Sequence, residues 1–189
     1  REAEAKAESE AQAETEATKT QASAQDKINE QVKKMAQELN KEFVDGAIEI
    51  ESLGQQIIIR IRENGAFPSG SAFLQPQFRP IITEIGELLN TVPGEIMVSG
   101  HTDNQGISSE LFTSNWDLSS KRAVAIAHEL VKVDDFDTSR MVVAGHADSK
   151  PLVPNNNALN RRRNRRVGIV INQGKAKETE PVSVIKSDN

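Results

Sequence analysis

At 189 residues the chain has room for one ordinary domain and an appendage. Its 23 Lys and Arg against 28 Asp and Glu give a net charge of −5, and aromatics are 4% of the residues, which argues against nucleic acid as a partner. Without cysteine there is no disulfide, no thiol chemistry and no zinc finger. No apolar run reaches the roughly 18 residues of a membrane-spanning helix, and no signal peptide is visible. The chain begins at Arg1 rather than Met, so it is read as a fragment, with room for an anchor in the missing N-terminus.

Residues 1–25 hold Ala, Glu, Gln, Thr, Lys and Ser, and no large apolar residue precedes Ile28. Such a segment cannot bury enough surface to offset its ordering entropy. It reads as a flexible linker, with a solvated, fraying helix as the structured alternative. Across 26–46 the pattern changes. Ile28, Val32, Met35, Leu39 and Phe43 recur at spacings of three and four, one apolar stripe of an amphipathic helix. Asp26 suits its N-cap and Gly46 its stop. The stripe rests either on its own domain or on a partner helix. Ala47–Ser52 and Gln55–Arg62 read as a hairpin across Leu53 and Gly54. The run Ile57, Ile58, Ile59 suggests a strand covered on both faces or at the sheet centre. Glu63–Gln75 reads as a loop, with Phe67 and Phe73 tucked into the core, and Pro76–Asn90 as a helix.

Ile96, Met97 and Val98 read as a short buried strand ended by Gly100, whose backbone freedom permits a sharp turn. His101, Thr102, Asp103 and Asn104 are then displayed at its C-terminal end. Ser119 is the expected N-cap of the next helix, which places Arg122 in its first turn. Ala123, Ile126, Ala127 and Leu130 face inward from that helix. Asp134–Asp137 is a turn and Met141–Val143 a strand, ending in Gly145-His146-Ala147-Asp148, an echo of Gly100-His101-Thr102-Asp103. Five arginines fall between Arg161 and Arg166, Val167–Ile171 is the last strand, and 174–189 is a polar, disordered tail. The order of elements gives an α+β, two-layer sandwich: one mixed β-sheet over residues 47–173 with helices on one face.

A loop carboxylate, Asp103, and a first-turn guanidinium, Arg122, beside helix N–H groups suit a small zwitterion: the acid takes an ammonium, the base a carboxylate. Read from the residues alone, an ordinary salt bridge between them is the better explanation of the pair. Thr102 and Asn115 either hydrogen-bond a ligand or hold the loop. Asn104 and Leu118 carry a weaker signal. His101, Asp103, His146 and Asp148 are legitimate metal ligands, which keeps a metal-dependent hydrolase built on the two G-H-x-D turns as a remote alternative. No G-x-S-x-G elbow, phosphate loop or dinucleotide glycine pattern is present. The arginine run is either a solvated basic face or part of an anion site.

Four stretches carry a resemblance to a known family: Phe67–Leu74 (FPSGSAFL), Gly100–Asn104 (GHTDN), Ser114–Ala123 (SNWDLSSKRA) and Asn160–Val167 (NRRRNRRV). They resemble the OmpA-like peptidoglycan-binding domain, from about Ala47 to about Asn172. With Trp116 in the third motif, the chain looks most like the periplasmic part of the flagellar stator B subunit (MotB/PomB type). The resemblance implies a non-enzymatic anchor without cofactor or metal. In it Asp103 and Arg122 hold the diaminopimelate of the stem peptide, Arg165 adds positive potential, and Thr102 and Asn115 flank the pair. It implies a periplasmic domain of a protein anchored in the inner membrane, which fixes an ion-driven torque generator to the wall. A stator A subunit, reached through a membrane segment absent here, and a second copy in a homodimer would be its partners. A general outer-membrane or lipoprotein wall anchor is the alternative. The loop between GHTD and LSSKRA is longer than in outer-membrane members, which bears on groove shape and access.

Overall fold

The computed structural model describes residues 2–39 and 46–174. Helix α1 runs Glu2–Glu38, 37 residues without interruption. The backbone is helical across 2–25, the segment expected as a linker, and Asp26 lies inside the helix instead of capping it. Ala, Glu, Gln and Lys are among the best helix formers and no Gly or Pro interrupts them, so nothing local stops the helix. Its last third is anchored. Ile28, Met35 and Leu39 are buried in the core, and Val32 packs against it. At the same end Ser52 Oγ donates to Asn29 Oδ1 at 3.1 Å, and Gln173 Nε2 donates to Gln31 Oε1 at 2.8 Å. The apolar stripe therefore rests on its own domain. Phe43 and the tail beyond Gly174 lie outside the described residues.

Five strands follow: β1 Ile48–Leu53, β2 Gln56–Arg62, β3 Glu95–His101, β4 Met141–Gly145 and β5 Arg166–Asn172. They form one sheet in the order β1-β2-β5-β3-β4, in which only β3 and β4 are parallel. The hairpin turn falls on Gly54 and Gln55, since Leu53 still pairs with Gln56, and Gly54 takes φ +57°, where a side chain would be strained. Helices α2 (Arg79–Asn90), α3 (Asn115–Leu130) and α4 (Ala158–Asn164) follow, with short helical turns at Glu63–Ala66, where the sequence reads as loop, at Pro76–Phe78 and at Thr138–Arg140.

The helices α1, α2 and α3 share one face of the sheet. Ile57, Ile59 and Ile61 of β2, Ile96 and Val98 of β3, and Val167, Ile169 and Ile171 of β5 point into it beside Ile82 and Ile85 of α2 and Ile126 and Leu130 of α3. Each such side chain, fully buried, contributes about 1.5–3 kcal/mol of transfer free energy. The isoleucine run of β2 is not covered on both faces. Ile57 and Ile59 are fully buried, while Ile58 is half-buried on the open face, in a cross-strand row with Val170, Met97 and Val142.

Two glycines set how closely α3 approaches. Gly100 lies within β3 rather than ending it, and its φ is not positive. A Cβ there would stand 1.9 Å from the Ser119 carbonyl oxygen, and one at Gly145 would stand 2.1 Å from Ser120 Oγ. Neighbouring positions of the parallel pair β3–β4 thus form a notch that receives the backbone of α3. Gly100 is required by this contact, not by turn geometry.

Candidate functional site

Because β3 and β4 are parallel neighbours in register at Gly100 and Gly145, the two G-H-x-D turns emerge at the same end of the sheet. They are tied together by backbone. His146 N donates to Gly100 O at 2.9 Å, and Thr102 N donates to Ala147 O at 2.8 Å. Ala147 sits at φ +49°, a costly conformation for a residue with a Cβ, and is fully buried. Its N–H is claimed by Ser119 Oγ at 3.0 Å. Ser119 is therefore an interior residue of α3 that fastens the second turn. The N-cap of α3 is Ser114, whose hydroxyl accepts from Asp117 N at 3.3 Å.

That shift of the helix start moves Arg122 into the second turn of α3, away from the free N–H groups of its end. Arg122 is 1% exposed. Its Nε donates to Ser71 O at 2.7 Å, its Nη2 to Glu63 Oε1 at 2.6 Å, and its guanidinium carbon lies 5.3 Å from the centre of the Phe67 ring. The guanidinium thereby ties down the Phe67–Leu74 segment. Phe67 is buried as expected, but Phe73 is 59% exposed, and the next residue, Leu74, fills the core in its place.

Asp103 does not pair with Arg122. Its Oδ2 accepts from Arg165 Nη1 at 2.5 Å, and its Oδ1 accepts from Gln105 N at 2.9 Å. Arg165, the residue between α4 and β5, also donates through Nε to Glu63 Oε2. Glu63 N in turn donates to Arg165 O at 3.1 Å. The result is an alternating chain of charges: Asp103, Arg165, Glu63, Arg122. Two acids balance two bases, so the chain is neutral yet strongly polar. Burial pushes the Arg122 guanidinium down from its ordinary range, and the Glu63 carboxylate opposes it. Burial acts on Arg165 too, but its bonds to Asp103 and Glu63 outweigh that and raise it.

Asp103, Arg122, Arg165, Thr102 and Asn115 all line one cavity of about 360 Å³, with Glu63 at its side. Thr102 Oγ1 donates to Asp103 O at 2.8 Å, and Asn115 Nδ2 donates to Gln105 O at 2.9 Å. Both therefore hold the loop that forms the cavity wall. Leu118 lines it too. Of the arginine run, Arg165 alone reaches this cavity. Asn164, fully buried, fastens the preceding loop by accepting from Leu152 N and Val153 N at 2.9 and 3.0 Å.

Glu63 has no motif around it in the sequence and reads there as the first residue of a loop. Its role depends on two arginines 59 and 102 positions away, and no local pattern announces such a pairing. The His pair is close, with ring centroids 5.1 Å apart. His101 is buried, and burial first, then Arg166, His146 and Lys150, lower its pKa to about 3. Asp148 is exposed while Asp103 is buried, and among the described residues no group of three or more His, Cys, Asp or Glu is placed to hold a metal ion.

Residues 66–165 match the family model described as the OmpA family. The chain belongs to the OmpA family. The segment matched ends at Arg165 and holds every residue that lines the cavity except Glu63, which precedes it. Motility protein B of Bacillus subtilis (strain 168) is 32% identical over 155 residues, which are 82% of this chain and 58% of that protein. The chain spans about half the length of the curated relatives it matches. Among solved structures, the cell wall anchor of the T6SS from Pseudomonas aeruginosa is 32% identical with a TM-score of 0.67, covering 73% of this chain and 96% of that one. A putative MotB like protein from Desulfovibrio vulgaris superposes with a TM-score of 0.73 at 24% identity, covering 81% and 98%. The mixed sheet with helices on one face is the OmpA-like α+β fold found in the periplasmic domains of motility protein B.

Proposed function

We propose that this chain is a non-enzymatic peptidoglycan-binding module and that the 360 Å³ cavity takes the diaminopimelate of the stem peptide. The observation that carries the reading is the alternating chain Asp103, Arg165, Glu63, Arg122 along one wall of a cavity of ligand size. A free amino-acid end is a zwitterion. Its ammonium meets the Asp103 carboxylate, and its carboxylate meets the guanidinium of Arg122, with Arg165 beside it. Because the acids and bases already pair with one another, they are oriented before the ligand arrives, which lowers the ordering cost of binding. Thr102 and Asn115 hold the loop and so keep Asp103 in place. The ligand is bound and not transformed.

Similarity to motility protein B supports a stator B subunit as the whole protein. In that reading the domain lies in the periplasm of a protein anchored in the inner membrane. It fixes an ion-driven torque generator to the wall, works beside a stator A subunit, and acts as a homodimer. Similarity at 32% identity to a T6SS cell wall anchor supports a second reading, a general wall anchor with the same site. Sedimentation with purified sacculi tests the shared claim. The wild type is expected to co-sediment and a folded Asp103→Asn variant to stay in solution; equal sedimentation of both overturns the site. Restoration of motility in a strain lacking its stator B subunit, by the chain fused to that subunit's membrane segment, separates the two readings.

A further inference from the structure

A second cavity, of about 230 Å³, adjoins the first and shares Glu63, Ser69 and Arg165 as its wall. Arg162, in the last turn of α4, completes its lining together with Asn64 and Phe67. The charges differ between the two. In the first cavity Asp103 and Glu63 balance Arg122 and Arg165. The second adds Arg162, which makes no ion pair among the described residues, so it carries an uncompensated positive charge. A ligand that fills the first cavity and continues past Arg165 meets a free guanidinium with no acid to satisfy it.

Resting on the peptidoglycan reading, we propose that the second cavity is a subsite for the stem residue next to diaminopimelate, and that Arg162 takes that residue's free carboxylate. In stems where D-glutamate precedes diaminopimelate, its α-carboxyl is either free or amidated. A guanidinium binds a carboxylate with two charge-assisted hydrogen bonds, whereas a primary amide presents donors of its own to it. Arg162 is thus a specificity residue that distinguishes the free from the amidated stem. Glu63 shapes both cavities, because it orients Arg122 toward one and Arg165 between them.

Calorimetric titration with two muramyl tripeptides, one with the free D-glutamate α-carboxyl and one with its amide, tests this. Arg162 is exposed, so the wild type is expected to prefer the free form about threefold to fivefold, the upper range for an exposed ion pair. Arg162→Gln is expected to bind both forms alike, at the wild type's affinity for the amide, and Arg162→Lys to keep part of the preference. No preference in the wild type, or a preference that survives in Arg162→Gln, overturns the inference. Asp103→Asn separates the two claims. If it loses both ligands the cavity reading stands whatever Arg162 does, and if it keeps both the cavity reading fails with the subsite built on it.

Discussion

Replacing Glu63 by Gln removes one charge and almost no volume. Both carboxylate oxygens of Glu63 are engaged, one by Arg122 at 2.6 Å and the other by Arg165. The Arg122 side chain is 2% exposed and that of Glu63 9%, so the charge left on Arg122 cannot be recovered by water. Removing one partner of a buried pair costs about 3–5 kcal/mol. Arg165 is 29% exposed and keeps Asp103, so its share is discounted and the expectation is the lower end, about 3 kcal/mol. For a domain of this size the melting temperature then falls by about 6–12 °C. Denaturant unfolding of Glu63→Gln measures the cost. A double-mutant cycle with Arg122→Met assigns it, since in the Met background the same change is expected to cost about 1 kcal/mol or less. A loss under about 1 kcal/mol in the wild-type background, or equal losses in both, refutes the claim that Glu63 is the counter-charge of Arg122.

Gly100→Ala is expected to destabilise by about 3 kcal/mol, the upper end for overpacking, because the added Cβ would lie 1.9 Å from a backbone oxygen of Ser119 that cannot rotate away. Wild-type stability in urea would show that α3 yields. Leu39→Ala is expected to cost about 3 kcal/mol, as for a fully buried leucine, and an unchanged unfolding midpoint would show that α1 is not part of the core. His101 supplies a pH dependence. Its native pKa of about 3 lies below the ordinary 6.5, so the unfolded chain binds the proton more readily than the native one. The resulting stability is fully present above pH 6.5 and is lost as pH falls toward 3, by at most about 1.4 kcal/mol per unit. Unfolding curves of the wild type and His101→Gln between pH 7 and 4 are expected to diverge, the variant being less sensitive to acid; parallel curves would contradict the burial of a neutral His101.

The parts of the fold with a period were legible in the sequence. The stripe Ile28 to Leu39 and the helical spacing from Ile81 to Leu89 each repeat often enough to mark an element and its buried side, whereas the isoleucine run of β2 marked a strand without showing which of its faces is buried. The echo of Gly100-His101 in Gly145-His146 marked two strands that lead into the same kind of turn, and the structure adds that these strands are parallel neighbours. Boundaries set by single residues were less legible. Ser119 and Ser114 are both good caps by type, and only the docking of α3 against Gly100 and Gly145 decides between them. The absence of a stop signal before Asp26 let α1 continue to Glu2. Within the candidate site, Asp103, Arg122 and Arg165 stand in motifs and so drew notice. Their pairing did not, because Glu63, the acid that joins two of them, lies in a segment whose sequence reads as a loop.

The most direct measurement is a titration of the 15N-labelled domain with meso-diaminopimelate, followed by NMR. Saturable shifts confined to the amides of Thr102 to Ile107 and Asn115, and to the side-chain N–H groups of Arg122 and Arg165, with loss of all of them in Asp103→Asn, are the predicted result. Sacculi that bind the domain while diaminopimelate leaves these signals unmoved, or shifts that persist in Asp103→Asn, would contradict the account.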